Sequence, residues 1–209
     1  SSDLDARGIP AFPASSPRLY LDGDAWFERA TELIAGARES ILVMSFLTTV
    51  AERQDEVFAA LAEARARGVR VYLLVDSASY YRSYPGGGTP IRAAIPKAVA
   101  AGIPLVEYNP LRGRRVPIVF PLFDRDHRKF WVVDGRYAAL GGQNIDYDSL
   151  RPPEEGGCID AMLEYDSPEA SSFLIDSFVR TWNAYSLDRL DARDFARAEA
   201  APRGDAAGP

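Results

Sequence analysis

Apolar runs short enough for strands alternate with amphipathic stretches long enough for helices, and this alternation restricts the fold more than any other feature of the chain. Residues 19–21 form a short strand candidate. Asp22-Gly23-Asp24 can then cap a helix over 25–37, on which Trp26, Phe27, Ala30, Leu33 and Ile34 share one face. A buried strand is expected at 41–46 and a helix at 55–67, with Val57, Phe58, Leu61, Ala62 and Ala64 inward and Gly68 ending it. A second strand spans 69–75 and stops at Asp76, and after a long loop over 77–90 a helix over 91–101, interrupted near Pro96, leads to a third strand at 103–108. Strand–helix–strand–helix–strand order implies parallel pairing through crossover helices.

The second half has a different grammar. Strands at 129–133 and 137–141 are joined by Asp134-Gly135, a hairpin signal, and a further strand at 159–165 precedes a helix over 167–185 with Phe173, Leu174, Phe178 and Trp182 at core spacing. The expected fold class is therefore α/β, with a mixed, largely parallel central sheet flanked by helices. An irregular, Pro- and Ser-rich segment occupies 1–18, one domain occupies 19–186, and 187–209 carry a solvated amphipathic helix at 188–199 and a linker or tail.

Composition narrows the function classes. The 209 residues carry a formal charge of −6, so attraction to a polyanion is not built into the chain as a whole, and a nucleic-acid partner would need a local basic groove. No apolar run approaches the roughly 20 residues of a membrane helix. One His and one Cys offer no metal-ligand cluster, and Cys158, without a second thiol to pair with, is expected to be inert. The compartment stays open. Export or membrane association in a bacterium is compatible with a leader or anchor outside this chain.

The chemistry concentrates in 126–144, Asp-His-Arg-Lys-Phe-Trp-Val-Val-Asp-Gly-Arg-Tyr-Ala-Ala-Leu-Gly-Gly-Gln-Asn. Residues two apart on a strand share a face, so His127 and Lys129 point the same way. The returning strand brings Gly141, Gly142 and Asn144 back beside His127. An imidazole, an ammonium, an amide and exposed glycine N–H groups in one place suit a phosphate. Lys129 supplies charge, Asn144 and the glycine backbone supply donors, and His127 can attack or donate a proton.

This stretch resembles the phospholipase D superfamily, whose motif is His-x-Lys, four residues, Asp, six residues, then Gly-Gly or Gly-Ser, x, Asn. His127, Lys129, Asp134, Gly141, Gly142 and Asn144 match it without departure. Asp126-His127-Arg128-Lys129 and Val132-Val133-Asp134-Gly135 look like the first motif of bacterial cardiolipin synthases, and 19–185 fit the N-terminal half of a two-motif member. The resemblance implies a catalytic set of His127, Lys129, Asp134 and Asp160. His127 forms a phosphohistidine or protonates the leaving oxygen, while Lys129, Gly141, Gly142 and Asn144 bind the phosphate. Asp160 on the following strand orients the imidazole, and Asp134 ties the turn rather than moving a proton. No metal or other cofactor is required. Tyr80, Tyr81 and Tyr84 fit a pocket rim or a packed loop. Arg112, Arg114 and Arg115 fit headgroup contacts or a solvated loop.

The single histidine limits what the chain does alone. Double displacement needs a nucleophile on one side of phosphorus and an acid on the other, which one imidazole cannot supply in line. The resemblance implies a second motif, from a longer protein, another chain or a homodimer mate. The expected activity is phosphodiester transfer or hydrolysis on a phospholipid, at a membrane surface in one version. A nuclease of the same superfamily and a non-catalytic, lipid-binding half are the alternatives.

Overall fold

The computed structural model describes residues 16–46, 48, 52–76, 94–110, 125–146 and 148–196. The tyrosines of the 77–90 loop and Arg112, Arg114 and Arg115 lie outside the described residues.

Strand β1 (Arg18–Asp22) runs into helix α1 (Gly23–Gly36), and Asp22 caps the junction by accepting the Ala25 N–H at 2.8 Å. Strand β2 (Ser40–Ser45), helix α2 (Glu52–Ala66), strand β3 (Arg70–Asp76), helix α3 (Ala94–Ala100) and strand β4 (Leu105–Tyr108) follow. Strands β5 (Phe130–Val133) and β6 (Tyr137–Gly141) form the hairpin, and β7 (Ile159–Asp166) leads into helix α4 (Pro168–Tyr185). All seven strands join one sheet in the order β1-β7-β6-β5-β2-β3-β4.

The sheet is mixed, as the two grammars of the sequence require, but mostly antiparallel where a largely parallel one was expected. The β2–β3 and β3–β4 ladders are parallel, and the other four are antiparallel because the hairpin inserts β5 beside β2 and hands the chain on to β7 and β1. Strand β2 is central and buried along its whole length. Its Ile41 and Val43 face one core with Trp26, Ile34, Leu61 and Trp131, under α1, α2 and α3. Its Leu42 and Met44 face the other, with Phe130, Val132, Phe178 and Trp182, under α4. The period-2 alternation thus serves two apolar layers, which is why these strands read as continuous apolar runs.

Three further expectations need correction. Among the described residues α3 runs unbroken from Ala94, with Pro96 in its first turn, where the missing N–H has no intrahelical acceptor to lose. Phe173 is 47% exposed although it falls at core spacing. Strands β7 and β1 extend the sheet beyond the strands that α4 packs on, so that face also leaves Leu19, Leu21 and Ile159 exposed. The expected helix over 188–199 is, where described, only a 3-10 turn at Ala192–Asp194. The preceding stretch is tied back to α4 instead: Trp182 Nε1 donates to the Asp188 carbonyl at 2.8 Å and Asn183 Nδ2 to the Leu190 carbonyl at 2.9 Å. No described helix is long and apolar enough to cross a membrane.

Candidate active site

The topology brings one end of the sheet together from distant parts of the sequence. Strands β2, β3 and β6 end where β5 and β7 begin, because each neighbour on that side runs the opposite way. A cleft of about 290 Å³ opens there, lined by His127, Lys129, Gly141, Gly142, Asn144 and Asp160, together with Phe46, Asp146, Asp148, Ser149 and Cys158.

His127 and Lys129 share the cleft although neither lies in the strand, which starts one residue later at Phe130. His127 is exposed at the mouth, whereas Lys129 is only 4% exposed. Phe46, just past β2, holds both: its ring centroid lies 4.5 Å from the imidazole and 5.0 Å from Lys129 Nζ. Lys129 Nζ also donates to the His127 carbonyl at 2.7 Å, so the ammonium braces the residue it serves. Partial desolvation by the surrounding protein, and then the Lys129 charge, hold the His127 pKa below the ordinary imidazole value, against a smaller opposing pull from Asp160, Asp76 and Asp126. Lys129 is likewise pushed down by burial, partly offset by Asp160, Asp146 and Asp126. Both shifts favour the neutral form of each group, and the nearby carboxylates oppose that trend at each.

The two glycines do something other than the sequence suggested. Gly142 N–H donates to the Ala161 carbonyl at 2.9 Å and Gly141 N–H to the Lys129 carbonyl at 3.2 Å, so neither amide is offered to a phosphate. Their contribution is space. A Cβ on Gly142 would lie 1.9 Å from Asp160 Oδ1, and one on Gly141 would lie 2.0 Å from the Ala161 carbonyl oxygen. At 141 the obstacle is backbone, so glycine is what lets the end of β6 pass so close to Ala161.

Asn144 is held between two anchors. Gln143, buried, donates to the Asp160 carbonyl at 3.2 Å, and Ile145 N–H donates to Ser45 Oγ at 3.2 Å. The Asp160 carboxylate accepts the Ala161 N–H at 2.7 Å and acts on His127 and Lys129 through its charge.

Asp134, part of the catalytic set by resemblance, sits at the far end of β5, roughly 15 Å of strand away from Lys129. Its carboxylate accepts the N–H groups of Arg38, Glu39 and Ser40, the last two at 2.8 and 3.0 Å, while its own N–H donates to the Ser40 carbonyl. It locks the turn to the start of β2 and takes no part in the cleft.

Sequence reasoning missed several residues that shape the site. Besides Phe46, Asp76 at the end of β3 accepts the Asp126 N–H at 2.8 Å and pairs with Arg125 at 3.0 Å. Asp126 in turn binds Arg128, whose guanidinium also reaches Thr181 on α4 at 2.9 Å. A charge that ends an apolar strand is the only local signal for Asp76. The contacts of Asp76, and that of Arg128 with Thr181, span 49 or more residues.

Comparison with known proteins agrees with the geometry. Residues 30–182 match the family model described as the phospholipase D-like domain of cardiolipin synthase. Cardiolipin synthase B of Salmonella typhi is 32% identical over 135 residues, which is 64% of this chain but 30% of that protein. The chain thus spans about a third of the length of the curated relatives it matches. The fold is similar to that of Nuc, a phospholipase D family member from Salmonella typhimurium (TM-score 0.59, 20% identity, 84% of this chain and 100% of that one). It is also similar to phosphatidylserine synthase of Haemophilus influenzae (TM-score 0.64, 17% identity, 88% of this chain and 43% of that one).

Proposed function

We infer the function from one premise: the chain belongs to the phospholipase D-like domain family of cardiolipin synthases. On that premise, we propose that the chain transfers or hydrolyses phosphodiesters of phospholipids through a phosphohistidine on His127. The neutral imidazole attacks phosphorus, a P–N bond forms, and the P–O bond to the leaving alcohol breaks. Lys129 and Asn144 hold the non-bridging oxygens, whose charge rises in the transition state. Asp160 orients the imidazole and stabilises the positive charge it gains.

The leaving oxygen needs a proton from the opposite face of phosphorus. A second imidazole, in a second half of the same kind, supplies it and then takes a proton from the incoming water or alcohol, which breaks the P–N bond. That half belongs to a longer protein, another chain or a second copy of this one. The observation that carries this reading is the convergence of His127, the buried Lys129, Asn144 and Asp160 on one open cleft.

The nuclease alternative calls for a basic groove. Of its described candidates, Arg125 is paired with Asp76 and Arg128 with Asp126, while Asp146, Asp148 and Asp160 line the cleft. That surrounding disfavours a polyanion and suits a single phosphodiester with a hydroxyl-bearing or cationic headgroup.

Parallel incubation with phosphatidylglycerol vesicles, phosphatidylcholine vesicles and single-stranded DNA tests the proposal. Release of glycerol or choline is expected, with turnover lost on the order of 10³-fold or more in His127→Asn. DNA degradation without lipid turnover would install the nuclease reading instead. Lipid binding without turnover in the native assembly would leave a non-catalytic half.

A further inference from the structure

The segment that delivers His127 to the cleft is tied to β6 at its last residue, where the Lys129 carbonyl accepts the Gly141 N–H at 3.2 Å, but residues 125–128 precede β5 and lie outside every ladder. Something else must hold its backbone, because a nucleophile needs placement to within a fraction of an ångström. On the downstream side Lys129 braces the His127 carbonyl. On the upstream side the brace comes from Asp76, 50 residues away in the sequence and only 1% exposed.

We propose that Asp76 is a positioning residue for His127, its carboxylate fixing the preceding amide and guanidinium so that the imidazole is presented to phosphorus in one place. One oxygen accepts the buried Asp126 N–H at 2.8 Å, and the other takes Arg125 Nη1 at 3.0 Å. Arg125 extends the clamp to the residue just past β4 through the Asn109 carbonyl at 3.4 Å. Asp76 itself is fixed by the β3–β4 ladder, in which it pairs with Tyr108. The centre of the sheet is therefore coupled to the non-strand segment that carries His127. This inference rests on His127 being the nucleophile, and it adds a residue that neither touches phosphate nor belongs to the motif.

The burial of the pair decides how to test it. Removing one partner of a buried ion pair strands a charge, whereas replacing both by apolar groups is often tolerated. Asp76→Ala with Arg125→Met removes the clamp without a net charge change. Asp76→Asn with Arg125→Met restores only an acceptor for the Asp126 N–H. In the native assembly, the first variant is expected to remain folded, with a melting temperature lowered by the unsatisfied Asp126 N–H, and, assayed below that temperature, to lose about 10- to 100-fold in kcat with little change in KM. The second is expected to regain most of that loss. Equal kcat in both variants, whether full or reduced, overturns the role assigned to the Asp126 hydrogen bond.

His127→Asn in the same assay separates the two levels. If it is inactive while both Asp76 variants are fully active, only the positioning role falls. If it too is fully active, the nucleophile assignment falls with it. Hydrogen exchange on the unmodified chain gives a check that needs no variant. The Asp126 amide is expected to be protected, and exchange at the rate of a free amide would contradict the clamp.

Discussion

At His127 the decisive quantity is the balance between neutral and protonated imidazole. Partial desolvation and the neighbouring Lys129 charge push toward the neutral form, and Asp160, Asp76 and Asp126 push back less strongly. His127 is the only histidine in the sequence, so its ring protons can be followed alone by NMR across a pH titration. Its midpoint is expected below the ordinary imidazole value of about 6.5. Lys129→Met removes a positive charge that opposes protonation, so the midpoint must then rise; a midpoint unmoved by that substitution would remove Lys129 from the electrostatics of the site. At this scale much was legible from the motif spacing, because His127, Lys129, Asn144 and Asp160 do line one cleft. The use of the glycines was not. Spacing records that Gly141 and Gly142 are needed, but whether for their N–H groups or for their missing side chains depends on how close Asp160 and Ala161 come, and that is a tertiary distance.

Among the elements, the β5–β6 hairpin does most to build the site, and its two ends have separate tasks. The open end presents Lys129 and Gly141, while the turn end is locked by Asp134, whose carboxylate accepts three backbone N–H groups from 38–40. Asp134 also sits at φ +52°, a conformation that Asp and Asn tolerate better than most residues. Asp134→Ala is therefore expected to cost about 2–3 kcal/mol, lowering the melting temperature by roughly 4–12 °C, with kcat unchanged at temperatures where the protein is folded. A fall in kcat with no fall in melting temperature would return Asp134 to the catalytic group. The strands were legible because a buried strand is an apolar run of the right length. The reach of α4 was not, since Phe173 and Phe178 look alike in a periodic pattern. Only the width of the sheet decides that the first is exposed and the second buried.

For the whole molecule, three layers place the central strands between two cores and leave chemistry at one end of the sheet. The contacts that shape that end join residues 46, 76, 126 and 160, which no local pattern connects. Phe46 and Asp76 escaped the sequence for this reason, whereas the motif itself is contiguous. The chain also offers one imidazole where an in-line displacement needs two, so a second half of the same kind is part of the proposed enzyme. The most direct test of the account is to trap the reaction on phosphatidylglycerol in the native assembly, quench it at alkaline pH to spare an acid-labile P–N bond, and map the modified peptide by mass spectrometry. A phosphatidyl adduct on His127, absent from His127→Asn, is the predicted result. Sustained turnover by His127→Asn, or by the wild type with the adduct on another residue, would contradict it.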